Sequence, residues 1–297
     1  MQQKNGTLED LRAEIDQIDD ALQDLLIRRA AVTRAIAKVK QPEAGADGVP
    51  LAAALRPARE ALILRRLLSR HKGELAPQLI VGIWREIIAA SLRAQANFQA
   101  HVYAGEGEAA YVGVARAYFG SAAPIRTHSK ASLVVHACAE ETNALGVVPL
   151  PEPEEPGASW WAQLAPAGAR GPRVIAKLPI VADGEETPAA YVIGTIEQEP
   201  TGDDTTLLLL EISAGMSRTR LQSLLREAGL AARFAAAGRT SEKGVPDEIL
   251  LELKGFVGKD DKRLATLAEA AGDAIARVGL IGGFANPVVV RAAKESK

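Results

Sequence analysis

The sequence is poor in cysteine and aromatic residues, and neither sign of charge dominates. With one cysteine in 297 residues, Cys138, no internal disulfide can form, and no Cys/His group has zinc-ligand spacing. A disulfide-stapled scaffold and a zinc module are therefore excluded, and the residues suggest no metal or cofactor site. Aromatics at 4% leave little for stacking on bases, and 35 Lys+Arg against 37 Asp+Glu give a formal charge of -2. Such a chain has no field to gather nucleic acid or an anionic membrane. No apolar run reaches the roughly 18 residues of a membrane helix; the longest, around Leu207–Leu210, is strand-sized. The opening MQQKNGTLED lacks the apolar stretch of a signal peptide. These absences point to the cytoplasm.

What is present is unevenly spread. Of 26 Gly and 16 Pro, nine fall in the first hundred residues, so the front should be helical and the remainder rich in strands and turns. The same hundred residues hold 15 Lys+Arg and 12 Asp+Glu, which leaves 20 against 25 for the remainder. A boundary near residue 100 follows. The length itself suits two or three domains at about 150 residues each.

The front reads as three helices. Leu8, Leu11, Ile15, Ile18, Leu22, Leu25, Val32, Ile36 and Val39 form one apolar stripe at helical spacing, and Thr7 with Asp10 makes a capping box. The helix is about 50 Å long at about 1.5 Å per residue, longer than a hundred-residue domain is wide, so its stripe should pack on another chain as well as its own. Residues 41–55 read as a loop, Pro57 opens a second helix to about His71, and a third runs from Pro77 to about Gln99.

Behind them, strands and helices alternate to about Leu150, the pattern of a small parallel-sheet α/β lobe. A loop-like stretch over 151–171 leads to two strands, RVIAKLPIV and AAYVIGTI. From Thr205 the order is βαββαβ, a ferredoxin-like module, its second helix set at Lys262–Val278 and its last strand a short one near Phe284. The expected fold is multidomain α + α/β, divided 1–100, 101–198 and 199–297.

The helices carry charges that a plain amphipathic pattern does not need. Arg29 and Lys40 are eleven residues apart, hence within about 20° of each other and about 16 Å apart along the axis. Both could reach one small anion. Arg12 lies about 25 Å from Arg29 and about 260° round, and it reaches the same place only from another copy of the helix. Arg59-Glu60 opens the second helix, and Ser91 and Gln95 form an i, i+4 pair on the third. Singly, each reads as a solvated surface group.

Jointly, Arg12, Arg29, Lys40, Arg59-Glu60 and Ser91-x-x-x-Gln95 resemble the all-helical chorismate mutase family over residues 7–99. The resemblance implies an intertwined homodimer in which each pocket draws Arg12 from the partner chain. It implies that Arg12 and Arg29, assisted by Ser91, clamp the two carboxylates of chorismate, a task suited to guanidinium forks. Lys40 and Gln95 would donate to the breaking ether oxygen, Glu60 would accept from the ring hydroxyl, and Arg59 would support the charge balance. The rearrangement to prephenate needs neither nucleophile nor cofactor, only a compact conformer and stabilised charge. Two departures stand out: the loop before the second helix is longer than usual, and Arg56 stands where relatives often have aspartate.

The rest resembles an eroded prephenate dehydratase of the bifunctional mutase–dehydratase type. In YAGEGEAAYVGVARAYFG, Glu106, Gly107, Glu108 and Ala109 replace most of the family's hydroxyl residues. Its Thr-Arg-Phe would fall near Ala189-Ala190-Tyr191 and is absent, so dehydratase activity is not expected. The tail resembles an ACT module whose effector motifs are altered at Ala214-Gly215-Met216 and in AAAGRTSE. A retained scaffold and an aromatic amino-acid sensor both remain open for it. His128 and His136 read as core or surface histidines unaccompanied by carboxylate or cysteine pairs, and Trp160-Trp161 as a loop pair capping an interface or a pocket. Alternatives to the mutase are an isochorismate pyruvate lyase on the same scaffold and a non-catalytic sensor or scaffold protein.

Overall fold

The computed structural model describes residues 7–39, 50–105, 109–152, 154–156, 159–182, 187–213, 216–239 and 247–289. Helix α1 spans Leu8–Val39. Its capping box forms as expected: the Thr7 amide donates to Asp10 Oδ2 at 2.9 Å and the Asp10 amide to Thr7 Oγ1 at 3.2 Å. Within the stretch read as a loop, Leu51–Ala54 closes a short helix, α2, because Leu51 and Leu55 are buried and anchor it. Helices α3 (Pro57–Arg70) and α4 (Pro77–Arg93) each begin on proline. Helix α4 ends six residues before Gln99, which already belongs to a strand.

The α/β lobe comprises β1 (Gln99–Tyr103), α5 (Ala109–Phe119), β2 (Ile125–His128), α6 (Ala131–Glu140) and β3 (Ala144–Pro149). Strand β1 pairs in parallel with both β2 and β3. There follow β4 (Glu154–Pro156), a 3-10 turn at Trp160–Gln163, β5 (Arg173–Leu178), β6 (Val181–Ala182) and β7 (Ala190–Gly194). The last part is β8 (Asp204–Ile212), α7 (Arg218–Glu227), β9 (Ala232–Arg239), β10 (Asp247–Lys254), α8 (Lys262–Ala271), β11 (Ile275–Ala285) and β12 (Val288–Val289).

Strands β11-β8-β10-β9 lie in that order and every neighbouring pair is antiparallel, the ferredoxin-like arrangement expected. One boundary differs. Helix α8 stops at Ala271, because Gly272 takes φ +53°, and β11 then runs eleven residues rather than the few expected. Parallel pairing of β11 with β5 joins this module to the lobe in one ten-stranded sheet, β2-β1-β3-β7-β5-β11-β8-β10-β9-β4.

Leu207–Leu210 shows why this sheet holds. All four leucines are fully buried, Leu207 and Leu209 on one face and Leu208 and Leu210 on the other. The first pair meets Trp160, Trp161 and Tyr191; the second meets α7 and α8. A continuous apolar run is what a strand covered on both faces requires. The tryptophans, expected in a loop, fill the core between lobe and module.

Helix α1 is the exception. None of its residues is buried, and its stripe is open from Leu8 at 64% to Val39 at 80% exposed.

Candidate active site

A side-chain hydrogen bond links the C-terminal half of α1 to α4. Arg29 Nη1 donates to Ser91 Oγ at 2.8 Å, and Ser91 Oγ in turn donates to the Ile87 carbonyl at 2.8 Å. Gln95, just past the end of α4, donates through Nε2 to the Ser91 carbonyl at 2.9 Å. Arg29 and Ser91 face a cavity of about 500 Å³ whose other polar lining is Thr33, Arg34 and Glu86. Its floor is apolar, with Leu26, Ile87 and Ala90. Partial burial lowers the Arg29 pKa from its ordinary value. A cationic fork on a mostly apolar floor can fix an organic carboxylate.

The other expected residues are placed differently. Arg12 is exposed on the far half of α1, as the helical geometry demands. Arg59 is exposed on α3, and Lys40 lies outside the described residues. Glu60 is buried and paired with Arg85, Nη1 to Oε2 at 2.6 Å. Arg85 also donates through Nε to the Tyr118 carbonyl at 3.0 Å, and its guanidinium lies 4.0 Å from the centre of the Tyr118 ring. Arg85 and Ser91 are six residues apart on α4, about 120° round the axis. Within one chain, therefore, Glu60 faces α5, while Arg29 and Ser91 meet at the cavity between α1 and α4 and Gln95 stays on the Ser91 carbonyl. Burial and the Glu60 charge raise the pKa of the Tyr118 phenol.

Arg56 has a use of its own. It forms a forked ion pair with Glu199, 2.6 Å at the closest, across the boundary between helices and sheet. Arg65 reaches further, to Thr201 Oγ1 at 2.8 Å and to the carbonyls of Asp203 at 2.7 Å and Asn286 at 2.9 Å. Sequence reasoning had no signal for either contact, since both partners lie over 130 residues away.

In the lobe, Tyr191, in the segment Ala189-Ala190-Tyr191 where Thr-Arg-Phe was expected to fall, donates its hydroxyl to Glu252 Oε1 at 3.1 Å. Burial, then the Glu252 charge, pushes the Tyr191 phenol well above its ordinary pKa. Residues 106–108, 214–215 and the last three residues of the altered AAAGRTSE, 240–242, lie outside the described residues, and its first five belong to β9. His128 meets another histidine rather than a carboxylate. Its Nε2 is 2.8 Å from His101 Nδ1, and His101 Nε2 is 3.2 Å from Glu141 Oε2. His136 is exposed. No group of His, Cys, Asp and Glu among the described residues could hold a metal ion, and no described helix is long and apolar enough to cross a membrane.

The helical unit that carries the Arg29–Ser91 cavity is followed by a mixed α/β sheet. Residues 11–96, the helical unit, match the family Chorismate mutase type II. Over 85 residues, 29% of this chain, the sequence is 33% identical to the bifunctional chorismate mutase/prephenate dehydratase of Pseudomonas aeruginosa, and it spans 23% of that relative's length. Among solved structures, the prephenate dehydratase of Streptococcus mutans aligns with 65% of this chain and all of its own, at 14% identity and a TM-score of 0.43. The prephenate dehydratase of Arthrobacter aurescens in complex with L-Phe aligns with 65% and 93%, at 11% identity and a TM-score of 0.45.

Proposed function

We propose that the chain is a chorismate mutase, rearranging chorismate to prephenate without cofactor and without dehydratase activity. The observation that carries this reading is the Arg29–Ser91 pair at a cavity inside the segment that matches the mutase family. In this reading Arg29 holds one carboxylate of the substrate, with Ser91 fixing the guanidinium. Arg12 of a second copy holds the other, and Lys40 and Gln95 donate to the ether oxygen as its bond breaks. Arg59 balances charge, and the resemblance gives the ring hydroxyl to Glu60, although within one chain Arg85 holds that carboxylate away from the cavity.

The exposed stripe of α1 supports the second copy. Leu8, Leu11, Ile15, Ile18, Leu22 and Leu25 are each at least 52% exposed in the single chain, and so large an apolar surface calls for a cover. An intertwined homodimer supplies that cover and brings Arg12 to the site. The lost Thr-Arg-Phe, with Tyr191 of the segment where it was expected bonded to Glu252, supports the absence of dehydratase activity. The ferredoxin-like module is a scaffold or a site for an aromatic amino acid.

Incubating the full chain with chorismate, isochorismate and prephenate tests all of this. The expected product is prephenate from chorismate, with no pyruvate from isochorismate and no phenylpyruvate from prephenate. Repeating the chorismate assay with phenylalanine, tyrosine or tryptophan separates sensor from scaffold.

A further inference from the structure

A threonine inside a helix commonly turns its hydroxyl back onto the carbonyl four residues earlier. In α8, Thr266 does so, donating to the Lys262 carbonyl at 3.1 Å, and in α4 Ser91 does the same to Ile87. Thr33 does not. Its hydroxyl has no hydrogen-bond partner among the described residues, although the side chain is half-buried and lines the Arg29–Ser91 cavity. It follows Arg29 by four residues, which puts it on the same face of α1 and about 6 Å further along the axis.

A hydroxyl open to a cavity with an apolar floor, one turn beyond a carboxylate-binding guanidinium, is placed to meet the far side of a ligand anchored at Arg29. We propose that Thr33 is a further substrate-contacting residue, donating through Oγ1 to an oxygen of the bound dicarboxylate about one helical turn from the carboxylate that Arg29 holds. This rests on the mutase reading of the same cavity. Ser91 cannot take this part, because its single proton is committed to the Ile87 carbonyl and its oxygen to Arg29.

Steady-state chorismate turnover by the full chain tests the inference with two pairs of variants, each accompanied by thermal unfolding. Thr33→Val keeps shape and β-branching but removes the hydroxyl, and it should lower kcat/KM about tenfold with an unchanged thermal midpoint. Thr33→Ser and Thr33→Ala both lose the methyl group, so their comparison stands even if the valine variant folds poorly. The serine variant should stay within about twofold of the original chain and the alanine variant should fall about tenfold. Equal kcat/KM for serine and alanine, or an unaffected valine variant that folds normally, overturns the inference. If the original chain itself turns over no chorismate, the mutase reading fails and the inference falls with it. An active chain with indifferent variants removes the inference alone.

Discussion

Glu60 has two claims on it. The mutase reading needs its carboxylate for a ring hydroxyl, and the fold already gives that carboxylate to Arg85 in a buried pair at 2.6 Å. Removing one member of such a pair strands the other, at a cost of about 3–5 kcal/mol. Arg85→Leu should therefore lower stability by about that much in a urea titration. A loss below about 1 kcal/mol would show that the pair is not buried in solution. The histidines act in the opposite sense to a salt bridge. Burial lowers the pKa of both His101 and His128; the Glu141 charge opposes this, while Arg126 adds to it. Folding thus favours the neutral rings. The stability they contribute is complete above the unfolded histidine value of about 6.5 and is lost as pH falls through the lowered folded values. The thermal midpoint should drop from pH 7.5 to pH 5, and His128→Gln should flatten that slope; an equally steep variant would contradict the assignment. Arg29, Ser91 and Gln95 were legible in the sequence only through the joint resemblance, since helical spacing pairs Ser91 with Gln95 but cannot bring Arg29 of α1 to them. The partners of Glu60 and His101 were not: Arg85 and Tyr118 come from α4 and α5, and His128 and Glu141 from two further elements.

Periodicity revealed the elements well where one face is buried, and less well where glycine decides. The capping box of α1 and the prolines opening α3 and α4 fall where the sequence sets them. The end of α8 does not, because the apolar spacing runs on past Gly272 while the backbone turns there at φ +53°. Another glycine holds the seam of the sheet. Gly282, at φ +111°, pairs with Val174, and a Cβ at this position would strike the Val174 backbone. Gly282→Ala should destabilise the protein by about 2 kcal/mol or more, read by denaturant unfolding; a neutral substitution would mean that β5 and β11 are not so close. The stripe of α1 supplies the other prediction at this scale. Leu22 is 52% exposed in the single chain, so Leu22→Asp should cost the isolated fold little and should shift a dimer toward monomer in analytical ultracentrifugation. An unchanged sedimentation coefficient would place the dimer contact elsewhere.

At the scale of the molecule, the near-zero net charge conceals a mildly basic helical part and an acidic remainder. The two are fastened where opposite charges meet, at Arg56–Glu199 and along the contacts of Arg65 to Thr201, Asp203 and Asn286. Arg56, a departure within the mutase resemblance, is accounted for as a docking residue. The change from helices to a sheet was legible because glycine, proline and charge all shift near residue 100. The joining of lobe and module into one sheet was not, since the β5–β11 pairing links segments about a hundred residues apart. The central claim is that the helical part rearranges chorismate, and the most direct measurement is prephenate formation by the full chain beside its Arg29→Ala variant. The account predicts turnover by the original chain and a loss of at least about a hundredfold in kcat/KM in the variant, with the thermal midpoint retained. Equal rates for the two proteins, or no prephenate from the original chain, would contradict it.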